Sequence, residues 1–279
     1  GIKIFGGWSR GNPQKSFSLF ARKQYGTSQF DYQIFPKSSV DSYESFIIRN
    51  SGNDWEQTML RDGYVNSIID VTGVDYQQYR PAIGYINGEY WGIYNMREKI
   101  SEHFISSHHD VPTDKINLLA YNGGFEDNLE TIHGSKEDFL ELIQYISTND
   151  MTKADAYNVV SKWIDIEEYI EYQIIQIFID NRDWPGNNVK LWRDSREGGK
   201  WRWILYDADY GFAFPKWMTD HHKFNTLDFA LATNGPGWPN PPWSTYLFRK
   251  LMDNDSFKNR FINHYSDLLN TIFLPENLN

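Results

Sequence analysis

Cysteine is absent from this chain of 279 residues. Its absence excludes disulfides, thiol nucleophiles and Cys-ligated zinc, and it fits an exported bacterial protein that avoids stray oxidation. Basic charge is also scarce: 27 Lys and Arg stand against 37 Asp and Glu, a formal net charge of −10. A general binder of the nucleic-acid backbone needs a basic stripe, so no nucleic-acid partner is expected, although a local basic pocket stays open. No apolar run approaches the ~18–20 residues of a membrane span, so no membrane partner is expected either. With 40% hydrophobic and 23% charged residues, the composition is that of an ordinary soluble fold.

Aromatic side chains are abundant. There are 11 Trp, 18 Tyr and 18 Phe, together 17% of the chain. Their commonest use is burial of large areas in a core, but they also build sugar platforms. With the acidic charge, they keep a carbohydrate-active enzyme or glycan-binding module open as a second class of function.

The first ~97 residues read as a small sheet with one helix. Gly1-Ile-Lys-Ile-Phe5 is strand-like from its first residues, and the chain is therefore expected to begin inside a larger protein. Gln14 to Ala21 alternates polar and apolar residues, the period of a half-buried strand. Ser45 to Asn50 is a third strand, and Asp54 is expected to cap a helix from about Trp55 to Val71. Arg80 to Tyr94 reads as a hairpin turning at Asn87-Gly88. From residue 98 onward the chain reads as mainly helical. Helices are expected over 97–108, from a capping box at Ser135 to Thr148, and over 154–163, 166–180, 243–253 and 255–273. The glutamates around Ile166–Ile179 look like the wet face of a surface helix. Val189 to Tyr206 is a second hairpin, and residues 215–242 read as a long loop. The expected fold class is α+β, with a sheet-rich lobe over about 1–97 and a larger helical lobe over about 98–279.

Two acidic segments flank the second hairpin. Asp183-Trp-Pro-Gly-Asn-Asn188 follows a long apolar helix, and Asp207-Ala-Asp-Tyr-Gly211 follows a strand. Neighbouring loop carboxylates repel one another unless a cation or proton lies between them. Oxygen-only ligands favour Mg²⁺, Mn²⁺ or Ca²⁺ over zinc. Protein kinases show this order: a catalytic Asp, a metal-binding Asn five residues later, a short hairpin, then a metal-binding Asp. Here Asn181-Arg182-Asp183 carries Asn where kinases carry His. An Asx-rich turn with a solvated acidic corner is the plainer alternative.

The sequence resembles the CotH-type spore-coat kinases. The resemblance rests on Pro13-Gln-Lys-Ser-Phe-Ser-Leu19, Leu60-Arg61, Tyr85 to Tyr94 with Glu98, the Asp183-to-Asn188 loop, and Trp203-Ile-Leu-Tyr-Asp-Ala-Asp-Tyr-Gly211, and it covers nearly the whole chain. It implies an atypical protein-kinase-like two-lobed fold, ATP with a divalent metal (Mg²⁺, or Mn²⁺ or Ca²⁺), and transfer of the γ-phosphoryl group to protein Ser or Thr. Carried over by position, Asp183 is the catalytic Asp, and Asn188 with Asp207 or Asp209 are metal ligands. All four are expected to converge within one metal's reach. An exported, cell-surface or spore-coat location follows from the resemblance alone. A kinase-like scaffold without activity is a further alternative, against which the intact acidic set argues.

Phosphoryl transfer needs cations on the phosphates. Lys15, Arg49 and Arg61, and less strongly Arg10, are candidates, each with solvated surface charge as the plain reading. Glu98 is open to three readings: facing the adenine, pairing with Arg61, or standing at a helix N-terminus. His108-His109 and His221-His222 are weaker metal candidates. The acidic charge favours a protein acceptor with Ser-rich, basic segments, held by Asp220, Asp228 and the aromatic loop from Trp217 to Trp243.

Overall fold

Ser16-Phe-Ser-Leu-Phe20 becomes a strand with Ser16 and Ser18 turned inward in the structure, a computed structural model that describes residues 1–121, 129–214, 221–233 and 238–278. In chain order the strands begin with β1 (Ile2–Phe5), β2 (Ser16–Phe20), β3 (Phe30–Asp31), β4 (Ser42–Tyr43), β5 (Ser45–Arg49) and β6 (Asp75–Tyr76). They continue with β7 (Tyr79–Ile86), β8 (Glu89–Glu98), β9 (Ile116–Tyr121), β10 (Leu129–His133), β11 (Val189–Asp194) and β12 (Arg202–Leu205). The helices are α1 (Arg61–Ile69), α2 (Glu102–His109), α3 (Glu137–Thr148), α4 (Ala154–Trp163), α5 (Ile166–Phe178), α6 (Thr226–Leu231), α7 (Tyr246–Met252) and α8 (Asp255–Leu269). The protein is thus a mixed fold of sheets and helices. Among the described residues no helix is long and apolar enough to cross a membrane. The chain divides into two compact units, Gly1–Ser67 with Tyr76–Thr113, and Ile68–Asp75 with Asp114–Asn279.

The first unit is built on an antiparallel sheet in the order β1-β2-β5-β8-β7. The β7–β8 turn holds Asn87 at φ 52° and Gly88 at φ 83°, the pair of positive φ angles that a tight hairpin requires and that Asn-Gly tolerates. Two helix starts differ from the sequence expectation. Glu56 and Met59 take positive φ angles, which breaks the segment after Trp55. Asp54 instead accepts from the N–H groups of Leu60 and Arg61, both at 3.1 Å, so its carboxylate caps a helix that begins at Arg61. The next helix begins at Glu102 with Ser101 as its cap. Arg97 and Glu98 remain in β8, opposite Ile47 and Phe46.

In the second unit β10, β9, β11 and β12 lie side by side in that order. β9 and β10 are absent from the sequence reading, which placed no element between residues 108 and 135. Ile116-Asn-Leu-Leu-Ala is buried throughout, Asn117 included, and a strand buried on both faces carries no period-2 signal. β9 pairs with β11 in antiparallel register, Leu119 opposite Leu191. α5 packs against this sheet and against α8, with Tyr169 4.3 Å from the Trp203 ring and 6.4 Å from Phe257. Ile170, Ile174 and Ile175 are fully buried, each contributing roughly 1.5–3 kcal/mol. α5 is therefore not a surface helix. Its Glu168 is buried and accepts from the Trp203 N–H at 3.1 Å, while Glu171 accepts from Gly73 N–H at 2.7 Å. The segment expected as one long loop contains α6, capped by Asn225.

Candidate active site

The loop after α5 is held by a buried relay. The hydroxyl of Tyr172 accepts from Gln176 Nε2 at 3.1 Å. Gln176 Oε1 accepts from Asn181 Nδ2 at 2.8 Å. Asn181 Oδ1 in turn accepts from the Asp183 N–H at 3.1 Å. Asn181, where kinases carry His, thus closes an Asx turn that presents Asp183. None of this relay is visible from spacing, because its members face one another only once α5 is formed.

Asp183 is 7% exposed. Its Oδ1 accepts from Asn187 Nδ2 at 2.9 Å and from Trp238 Nε1 at 3.1 Å, and its Oδ2 accepts from Asn188 Nδ2 at 2.6 Å. Burial disfavours the charged carboxylate and pushes its pKa up to about 7. The charge of Asp207 adds to the rise, and the three donors oppose it. The sequence reading did not single out Asn187, and it placed Trp238 only in the aromatic acceptor loop, not beside Asp183. Gly186 explains how Trp238 comes so close. A Cβ there would lie 2.6 Å from Pro241 Cδ and 2.8 Å from Pro239 O, and the Gly186 N–H donates to Pro239 O at 2.7 Å.

The second acidic segment runs beside this loop. Phe212 N–H donates to Ile179 O at 2.6 Å and Arg182 N–H to Tyr210 O at 3.3 Å. Asp207 is half-buried, and its charge acts on Asp183 and on Tyr206. Asp209 is fully buried. Burial, with the charges of Asp183 and Asp209, pushes the Tyr210 phenol up to about 12. Asn188 and Asp207 both adopt left-handed backbone, at φ 53° and 55°. Non-glycine residues are uncommon there and cluster at functional sites.

The three aspartates differ in burial and in their partners. Among the described residues no group of three or more His, Asp or Glu side chains could hold a metal ion. Asp209 is enclosed, and Asp183 already accepts three hydrogen bonds. Asp207 and the Asn188 amide each carry a side-chain oxygen, the donor type that Mg²⁺, Mn²⁺ and Ca²⁺ take.

The profile of the CotH kinase proteins matches residues 2–279. The chain belongs to the CotH kinase family. That membership points to a kinase-like activity. No curated protein matches the chain.

In this CotH kinase chain the remaining candidates lie in the first unit. Lys15 precedes β2 rather than lying on it, and its Nζ donates to Arg10 O at 2.7 Å. Arg49 is buried and pairs with Asp62 at 3.2 Å, as Arg97 does at 3.0 Å. Arg61 pairs with Asp54 at 3.4 Å. Glu98 ends β8 rather than starting a helix. It accepts from Gln78 N–H at 3.0 Å, and its other oxygen lies 3.3 Å from His108 Nε2. Burial raises the Glu98 pKa, opposed chiefly by His108. Asp62 and Arg97 were missed by the sequence reading. So was Lys190 in the second unit, two residues after Asn188, with its ammonium 4.1 Å from the Tyr206 ring centroid.

The His candidates have other partners. His108 faces Glu98, and His221 Nδ1 lies 3.2 Å from an Asp180 oxygen. Asp180 also accepts from Thr226 Oγ1 at 2.9 Å, and Arg182, paired with Asp180, stacks its guanidinium 3.2 Å from the Phe224 ring centroid. Asp228 is exposed and accepts from Asn225. Asp220 and Trp217 lie outside the described residues.

Proposed function

We propose that this protein is an ATP- and divalent-metal-dependent kinase that phosphorylates Ser or Thr hydroxyls of a protein. The observation that carries the reading is the Asp183 carboxylate, oriented by three donors and pushed up to about 7. A base poised near neutrality matches proton removal from a hydroxyl at cellular pH. Asp183 takes the proton as the acceptor oxygen bonds to the γ-phosphorus. The bond from that phosphorus to the β–γ bridging oxygen breaks, and ADP leaves. Asn188 and Asp207 are the residues that would hold the metal, with Asp209 supporting their segment from within. The metal supplies neutralisation of phosphate charge. Asn188 has a second task, because its amide N–H fixes Asp183 while its carbonyl oxygen is left for the cation. The acidic chain favours acceptors with Ser-rich, basic segments, through the encounter rate.

The test is transfer of labelled γ-phosphate from ATP to basic and acidic Ser peptides, with Mg²⁺, with Mn²⁺ and with chelator. Thermal shift with the nucleotide–metal pair is measured alongside a glycan panel. Metal-dependent labelling that disappears in Asp183→Asn supports the reading. Stabilisation by a glycan, with none by ATP and metal, would replace it by a carbohydrate-directed function. Faster labelling of basic peptides at low salt, levelling at high salt, supports the acceptor class.

A further inference from the structure

The β7–β8 hairpin inverts the usual sheet pattern toward its turn. In β7, Pro81, Ile83 and Tyr85 are exposed, while Ala82 and Gly84 between them are half-buried. Ile83 stands opposite Ile93 of β8, and Tyr85 opposite Tyr90, with the two tyrosine rings 6.0 Å apart. The register shifts between Gly84 and Tyr85, which leaves Trp91 as an extra residue between the paired Tyr90 and Gly92. The opposite face is already used. Tyr94 there is buried, and a Cβ on Gly84 would meet its ring at 2.6 Å. Ile83, Tyr85, Tyr90, Trp91 and Ile93 are 43% to 64% exposed. The only charged residue over 81–94 is Glu89, beside the turn.

A solvated sheet face carries polar side chains at its outward positions. Here those positions are aliphatic or aromatic. Large residues present roughly 150–250 Å² when fully exposed, so the five leave on the order of 550 Å² of apolar surface in one place. Monomers rarely expose contiguous patches beyond a few hundred Å², and larger ones mark interaction sites. Two such faces set against one another remove about 1,100 Å² before any rim contact, and a specific interface needs about 1,000 Å².

We infer that this hairpin face is a self-association surface, covered in solution by the same face of a second copy of the chain. Sheet faces pack on sheet faces about 10 Å apart with interdigitating side chains, and a twofold axis lets one patch serve both sides. Tyr and Trp are enriched at the centres of such interfaces. A partner recognised by charge finds only Glu89 to pair with. A bilayer surface is bound by faces that set Lys or Arg beside the apolar side chains, and residues 81–94 contain neither. The formal net charge of −10 opposes the approach of two copies, so contact is least costly at a face with so little charge of its own. The inference does not depend on the kinase reading, because it uses no residue of the Asp183 site.

Sedimentation velocity on the whole chain, over a wide concentration range at low and high salt, measures the association. The parent should pass from monomer to about twice the monomer mass as concentration rises. The dimer should be tighter at high salt, where repulsion between two acidic copies is screened. Ile83→Lys and Tyr90→Lys should each weaken it by about thirtyfold or more, as at an interface hot spot. Both positions are exposed, so the Tm of each variant at low concentration should stay within about 2 °C of the parent, which shows that it folds. Ile262→Lys, at an exposed apolar position of α8, should dimerise as the parent does, and so should Asp183→Asn, whatever its kinase activity. A monomer at every concentration, equal self-association in the parent and the hairpin variants, or loss of the dimer in Ile262→Lys would overturn the inference. Binding of a monomer to vesicles of phosphatidylcholine with phosphatidylserine, lost in Ile83→Lys, would assign the face to a membrane and overturn it as well.

Discussion

Asn188 donates its side-chain amide to Asp183 across 2.6 Å. The two residues that open and close the loop therefore meet, and the loop is a closed clamp. The orientation of the base and the placement of the proposed metal oxygen are set by the same side chain. Changes at Asn188 should move proton chemistry and metal binding together, whereas changes elsewhere around Asp183 should separate them.

Asp183→Asn should lower phosphoryl transfer by ~10²–10⁴-fold while leaving nucleotide–metal affinity within a few-fold. Single-turnover assays with parallel binding measurements check this. Full activity in the variant would remove Asp183 from the base role.

The pH dependence follows from the raised Asp183 pKa of about 7. The unfolded chain releases this proton near ~3.9, so between the two values the native state binds more protons. The corresponding stabilisation is complete below ~3.9 and is lost as pH rises through about 7. Asp183→Asn cannot ionise, so its Tm relative to the parent should climb from pH 4 to 7 and then level. Glu168, buried and also raised, acts alike in both proteins and cancels. Before nucleotide binds, kcat/KM should rise about tenfold per pH unit below neutrality and flatten above it.

Trp238→Phe removes one donor to Asp183 Oδ1, 3.1 Å away, and keeps the ring. The rising limb of the pH profile should move to higher pH, giving roughly tenfold lower kcat/KM at pH 6, with the alkaline plateau and metal affinity unchanged. Asn188→Ala should show the same alkaline shift and, in addition, weaker binding of ATP with Mg²⁺. Titrating Mg²⁺ at pH 6 and pH 9 distinguishes the two variants.

In the first unit Asp62 lies 3.2 Å from Arg49 and 3.0 Å from Arg97, all three buried. Asp62→Ala should cost about 3–5 kcal/mol, since it strands buried positive charge. Lys15→Met, at a half-buried position bonded only to a backbone carbonyl in the hydrogen bonds seen here, should stay within about 0.5 kcal/mol. Urea unfolding measures both. If Lys15 meets phosphate, its variant should instead raise the KM for ATP without a change in stability.

Local chemistry alone determined several parts of this protein. Alternating residues made β2, Asn87-Gly88 made the β7–β8 turn, and the order of Asp183, Asn188, the second hairpin and Asp207 was legible as a kinase-like set. These features depend on neighbours within a few residues, where backbone sterics and side-chain period act. Tertiary structure decided the rest. β9, buried along nearly its whole length with Asn117 included, is a strand through its pairing with β11, residues 68 or more positions away. Glu168 and Glu171 looked wet because their partners, Trp203 and Gly73, are distant in sequence. Lys15, Arg49 and Arg61 looked like interchangeable cations until their partners set them apart. The choice of Asp207 over Asp209 as the more open carboxylate, and the arrival of Trp238 at Asp183, likewise depend on burial and on the close approach at Gly186. Burial and long-range pairing are properties of the assembled core, so no local pattern could carry them.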